Sequence, residues 1–126
     1  MPPRARILVA DDEPHIRRIL VTLLESAGFR VREAQDGGEA MAALDEREPV
    51  DFFILDLMMP GASGLEVLDR IRRHPEHLRA PVIILTAKGQ DADREDALSA
   101  GADDFLTKPF SPKKLLSRIQ EILAAR

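Results

Sequence analysis

Five polar side chains stand where four short apolar runs end. Asp11 and Asp12 follow Ile7-Leu8-Val9-Ala10, Asp56 follows Phe52-Phe53-Ile54-Leu55, Thr86 follows Val82-Ile83-Ile84-Leu85, and Lys108 follows Phe105-Leu106-Thr107. Three carboxylates brought to one place repel one another, a cluster tolerated mainly when a hard cation shares it. Magnesium suits such a set, because it prefers oxygen ligands and is commonly held by one or two carboxylates together with phosphate oxygens. A carboxylate can also attack phosphorus and form an aspartyl phosphate, which makes Asp56 a candidate phosphoacceptor. Lys108 could neutralise charge on transferred phosphoryl oxygens, and Thr86 could donate a hydrogen bond to one of them. Each residue alone has a plainer account. Asp11 and Asp12 precede Pro14 and could serve the positive end of a helix, Asp56 could be a turn residue before Met58-Met59-Pro60-Gly61, and a strand-end Thr or a lone Lys is ordinarily structural or solvated. The combination carries the argument, since phosphoryl transfer asks of a protein chiefly positioning and charge stabilisation.

The elements that must position these groups follow from hydrophobic periodicity. Strand-length apolar runs begin near residues 6, 29, 51, 81 and 103, with amphipathic helical patterns between them. Such alternation predicts an α/β fold, a doubly wound parallel sheet of five strands and five helices. Strand two, Phe29-Arg30-Val31-Arg32, alternates, and strand five is short, so both read as edges; the others are apolar on both faces and read as central. The order 2-1-3-4-5 satisfies this and puts a topological switch point between strands one and three, where Asp11, Asp12 and Asp56 fall. Helix one opens on Pro14, repeats Ile16, Ile19, Leu20, Leu23 and Leu24, and ends at Gly28. Helix two spans about Gly38 to Glu46 and buries Ala40, Met41 and Leu44; helix three starts near Gly64 and buries Leu65, Leu68 and Ile71. Helix five has Ser111 as N-cap, Pro112 first, and Leu115, Ile119, Ile122 and Leu123 inward. Helix four, about Asp91 to Ala100 with Gly101 capping it, has Leu98 as its only large apolar residue, with Ala92, Ala97 and Ala100 as minor help, and is expected to be the least anchored and most mobile.

Composition narrows the function class. The 126 residues suit one domain, 1–126, and no apolar run approaches the length needed to cross a bilayer. There is no cysteine and no apolar leader after Met1-Pro2-Pro3-Arg4, which together predict a cytoplasmic protein. A net charge of -4 argues against direct nucleic-acid binding by this domain.

Asp11-Asp12-Glu13, Asp56 followed by Met59-Pro60-Gly61, Leu85-Thr86-Ala87 and Lys108-Pro109-Phe110 together resemble the receiver domain of two-component response regulators, similar to the chemotaxis-type single-domain regulators. The resemblance runs from about Arg6 to Leu123 and implies a flavodoxin-like receiver topology. It implies a phosphorylation-dependent switch rather than a conventional enzyme, with Asp56 taking a phosphoryl group from a histidine kinase or phosphotransfer protein. Magnesium would be held by Asp12, Asp56 and the backbone carbonyl of Met58, with Asp11 acting mostly through water. Lys108 would contact the phosphoryl group, Thr86 would swing toward it, Phe105 would turn inward as Thr86 moves, and the Lys108–Pro109 bond would be cis. The surface formed by helix four, strand five and helix five would then bind a downstream protein. Two variable positions, here Met58 and Lys88, govern the attacking water in that family; an apolar Met58 predicts slow self-dephosphorylation.

Some residues depart from the dimerising, winged-helix branch of that family. Asp104 and Arg118 could still pair across an interface, but Arg94 would face Lys114, Glu95 replaces an apolar contact, and Lys113 and Lys114 occupy the first turn of helix five. A monomer or weak dimer is expected. Rival readings fare worse: an aspartate-based phosphatase needs an acid where Met58 stands, and a flavin carrier would find its phosphate repelled by Asp11-Asp12-Glu13. His15, His74 and His77 share no ligand spacing and are expected at the surface.

Overall fold

The computed structural model describes residues 4–87 and 91–125. Strands β1 (Arg6–Ala10), β2 (Arg30–Ala34), β3 (Phe52–Asp56), β4 (Val82–Thr86) and β5 (Asp104–Thr107) form one parallel sheet in the order β2-β1-β3-β4-β5. Helices α1 (Pro14–Ser26), α2 (Gly37–Ala43), α3 (Gly64–Arg73), α4 (Asp91–Ser99) and α5 (Pro112–Ala124) make the connections. The expected order is the observed one, and burial explains it. Every residue of β3 and β4 is buried, whereas β2 and β5 are only partly covered and stand at the edges. Charge guards the β2 edge: Arg32 and Arg6 reach Glu46 at 2.8 and 2.9 Å, and Arg30 pairs with Glu48.

The pleat sorts apolar side chains onto two faces. Ile7, Val9, Phe52, Ile54, Ile83 and Leu85 pack under Leu20 and Leu24 of α1 and Leu115, Ile119 and Ile122 of α5. On the other face Leu8, Phe53, Leu55 and Ile84 pack under Ala40 of α2, Val67, Leu68 and Ile71 of α3 and Ala97 of α4. Side-chain caps start three helices: Asp36 accepts from Glu39 N, Ser63 from Glu66 N and Ser111 from Lys114 N. Gly28, at φ 96°, turns the chain out of α1 in the left-handed conformation that favours glycine.

Three expectations change. Leu98 is 40% exposed and Ala97 is buried instead. Neighbouring helical positions point about 100° apart, so only one of the two can face the sheet, and the small one allows α4 to approach Ala102 and Phe105 closely. His77 is not a surface residue: it is 1% exposed, under the start of β3, while His74 is half-buried and His15 exposed. The turn between α3 and β4 folds beneath the sheet, and the His77 ring fills that space as a compact acceptor for the Val50 N–H at 3.0 Å. Finally, Arg118 Nε lies 2.8 Å from Asp104 Oδ2 of its own chain, so this pair is already satisfied without a second copy.

Candidate functional site

Asp11 and Asp12 leave β1, Asp56 closes β3, Thr86 closes β4, and Lys108 follows β5. Parallel pairing puts Ala10 beside Leu55 and Asp56 beside Leu85, which aligns these exits at one end of the sheet. Lys108 N donates to Thr86 O at 2.7 Å and ties the β5 exit to that of β4. Helix α3 starts directly against the β3 exit: at Gly64 a Cβ would lie 2.5 Å from Asp56 O, a contact only glycine permits. The result is a cleft of about 430 Å³ lined by Asp12, Glu13, Asp56, Met58, Thr86, Ala87 and Lys108. A cleft of about 440 Å³ at the opposite end of the sheet, beside Val50, Asp51 and Glu76, is as large, so chemistry rather than size distinguishes the first.

All five expected side chains border that end, and the carboxylates converge. Asp11, Asp12, Glu13 and Asp56 each offer an oxygen within 4.8 Å of the others. Lys108 Nζ stands among them, 2.8 Å from Asp11 Oδ2, 3.2 Å from Glu13 Oε1 and 3.4 Å from Asp56 Oδ2. The Asp11 contact is an ion pair rather than an aligned hydrogen bond, because this buried Oδ2 accepts none. An all-oxygen donor set of four carboxylates with only one ammonium among them fits a hard divalent cation such as magnesium. The capping account of Asp11 holds in part: its Oδ1 accepts the Glu13 N–H at 2.9 Å, but α1 has no side-chain N-cap. Glu13 is a partner of Lys108 that the spacing argument did not single out, although it directly follows the acidic pair.

Electrostatics at the site pull in opposite directions. Burial, then the charge of Asp11, push the Asp56 carboxyl from 3.8 up to about 6, and Lys108 only partly offsets them. For Lys108, burial disfavours the ammonium, yet contact with Asp11 and the charges of Asp11 and Asp56 outweigh it and raise its pKa. Asp56 is buried but opens on the cleft beside Met58, which is 69% exposed. Thr86 is 1% exposed at the cleft wall, and Phe105 is already turned into the core at 3%. The Lys108–Pro109 bond is cis, as the resemblance implies. Lys88 lies outside the described residues. Among the described residues no helix is long and apolar enough to cross a membrane.

Comparison with known proteins agrees with this geometry. The response regulator receiver domain family matches residues 7–120. The phosphate regulon transcriptional regulatory protein PhoB of Escherichia coli is 43% identical over 118 residues, covering 94% of this chain and 51% of its own length. The transcriptional regulatory protein ResD of Bacillus subtilis is 45% identical over 118 residues, covering 94% and 48%. This chain thus spans about half the length of the curated relatives it matches. Among solved structures, the chemotaxis protein CheY4 of Vibrio cholerae superposes with TM-score 0.88 at 31% identity, over 94% of this chain and 98% of that one. A response regulator of Chloroflexus aurantiacus gives 0.89 at 35%, over 97% and 99%. The chain belongs to the response regulator receiver domain family of two-component systems.

Proposed function

We propose that residues 1–126 act as a single phosphorylation-dependent switch in the cytoplasm, with Asp56 as phosphoacceptor. The observation that carries this is the Lys108 ammonium 3.4 Å from Asp56 Oδ2 inside a cluster of carboxylates, at the mouth of an open cleft. An Asp56 carboxylate oxygen forms the bond to phosphorus while the phosphorus–nitrogen bond of a donor phosphohistidine breaks. Lys108 leaves its carboxylate partners to meet the new phosphoryl charge, and Thr86 donates its hydroxyl to a phosphoryl oxygen. Asp12, Asp56 and the Met58 carbonyl would hold the magnesium, with Asp11 acting through water, and the bound ion would supply charge neutralisation at the transferring oxygens. One added dianionic group forms bonds that the resting site lacks, and so biases an equilibrium between two arrangements of the surface made by α4, β5 and α5. A histidine kinase or phosphotransfer protein is the donor, and a downstream protein reads that surface. The chain's only chemistry is phosphorylation and dephosphorylation of itself.

The test is phosphate incorporation from a small-molecule phosphodonor, followed by intact mass with and without magnesium. Wild type should gain one phosphoryl group only when magnesium is present, and Asp56→Asn should gain none. Equal labelling of the variant would remove the assignment. Exposed Met58 offers an attacking water no hydrogen-bond partner, so the phosphorylated form should decay slowly. Met58→Asn should shorten its lifetime several-fold; an unchanged decay would show that this side chain does not govern water access.

A further inference from the structure

Among the described residues, His77 is the one buried ionisable side chain outside the carboxylate crevice. It lies at the opposite end of β3 from Asp56, and the phosphotransfer reading gives it no task. Its Nε2 accepts the Val50 N–H at 3.0 Å, so in the neutral ring the proton sits on Nδ1. That Nδ1 lies 3.1 Å from His74 Nδ1 and donates to it, while the Glu76 N–H, 3.2 Å away, shares the same acceptor. His74 must then carry its proton on Nε2, which faces Asp45 Oδ1 at 3.2 Å. The order of donors is therefore determined from Val50 through both rings to Asp45. The His77 and Phe53 rings also meet at a steep angle, with centroids 5.6 Å apart at 77°.

We propose that His77, with His74 and Asp45, forms an acid-sensitive latch: a proton taken up by the His77 ring releases the Val50 amide and loosens the α3–β4 turn from the start of β3. A protonated ring has N–H groups at both nitrogens and no acceptor, so it confronts the Val50 N–H with another donor. One buried amide then loses its partner. Asp45 after α2, Asp51 before β3 and Glu76 in the turn favour the charged ring, while burial first, and then His74, oppose it and hold His77 below its ordinary value. Because the folded ring resists protonation, the latch is fully closed above 6.5 and weakens as pH falls below that value toward the folded pKa. The turn is also connected to α4. Arg72 of α3 donates to Ala80 O in the turn at 2.7 Å and to Gly101 O behind α4 at 2.7 Å, so loosening the turn changes what holds the end of that helix.

The experiment is nitrogen-15 NMR of the whole chain across pH, with amide hydrogen exchange, on wild type and His77→Gln. Glutamine retains an acceptor for the Val50 amide and cannot titrate in this range. At neutral pH the ring spectra should place the proton on Nδ1 of His77 and Nε2 of His74. On acidification the Val50 amide of wild type should exchange about tenfold faster or more, after correction for intrinsic rates, as expected for loss of one buried hydrogen bond. The His77→Gln protein should show no such step. The opposite tautomers, an ordinary His77 titration that leaves the Val50 amide signal unmoved, or the same step in His77→Gln would each overturn the latch. Should the variant fail to fold, the wild-type ring titration and the Val50 signal decide alone.

Discussion

Asp56→Asn should make the metal-free protein more stable at pH 7, by roughly 1–3 kcal/mol, a rise of several degrees in Tm. The sign follows from the raised carboxyl. In the unfolded chain Asp56 ionises near 3.8, whereas in the fold burial and the Asp11 charge delay ionisation to about 6. Between those values the folded state holds the proton more tightly, so stability falls as pH rises through the window and stays low above it. The effect on stability is smaller than the whole shift would give, because Asp56 borders the open cleft, where solvent screens its charge, and Lys108 stands beside it. Asparagine keeps the shape and removes the charge, so its advantage should be present at pH 7 and vanish by about pH 3.5, below both values. Urea or thermal unfolding in chelator, repeated at both pH values, measures this. A variant less stable than wild type at pH 7, or an advantage that persists in acid, would contradict carboxylate repulsion as the dominant effect at the site. The same repulsion is what a divalent cation would relieve, so stability and function compete for this side chain.

Phe53→Ala should destabilise the domain by about 3–5 kcal/mol, a large share of the roughly 5–15 kcal/mol typical of a native domain. Phe53 is fully buried in the strand that ends in Asp56, and its ring forms a T-shaped pair with that of His77. The truncation leaves a cavity walled by sheet and helix that the close-packed interior fills only in part. It also removes an aromatic contact worth about 0.5–1.5 kcal/mol beyond the buried area. Phe53→Leu should cost far less, since it restores most of the volume. Denaturant midpoints at constant slope give both values, and a loss below about 1 kcal/mol for the alanine variant would mean that the β3 face is not tightly packed.

Much of this protein was legible along the chain because its signals are local and periodic. Unbroken apolar runs marked β1, β3 and β4 as covered on both faces, and the alternation of β2 and the brevity of β5 marked them as edges; the observed order is one that satisfies both facts. Helix starts at Pro14 and Pro112 were readable from first-turn proline and, for the last helix, from the Ser111 cap, which act within one turn. The site was legible for a related reason: in a parallel sheet every strand exits at the same end, so polar residues at strand ends meet whatever the loops do.

What the chain did not disclose depends on contacts between residues distant in sequence. His77 reads as a surface histidine in a Pro-containing loop, and only the folding of that loop beneath β3 brings it 3.0 Å from Val50, 27 residues away. Leu98 reads as the main apolar residue of α4 and Ala97 as minor help, yet the closeness of the helix to the sheet buries Ala97 and leaves Leu98 partly exposed. Asp104 and Arg118 read as available for an interface until α5 packs beside β5 and joins them. The contact of Lys108 with Glu13 is of the same kind, since the two are 95 residues apart and meet only because β1 and β5 point the same way. Periodicity and capping are set by neighbours a few residues away and so survive in the sequence, whereas burial and pairing of a single polar group are set by the element that happens to cover it.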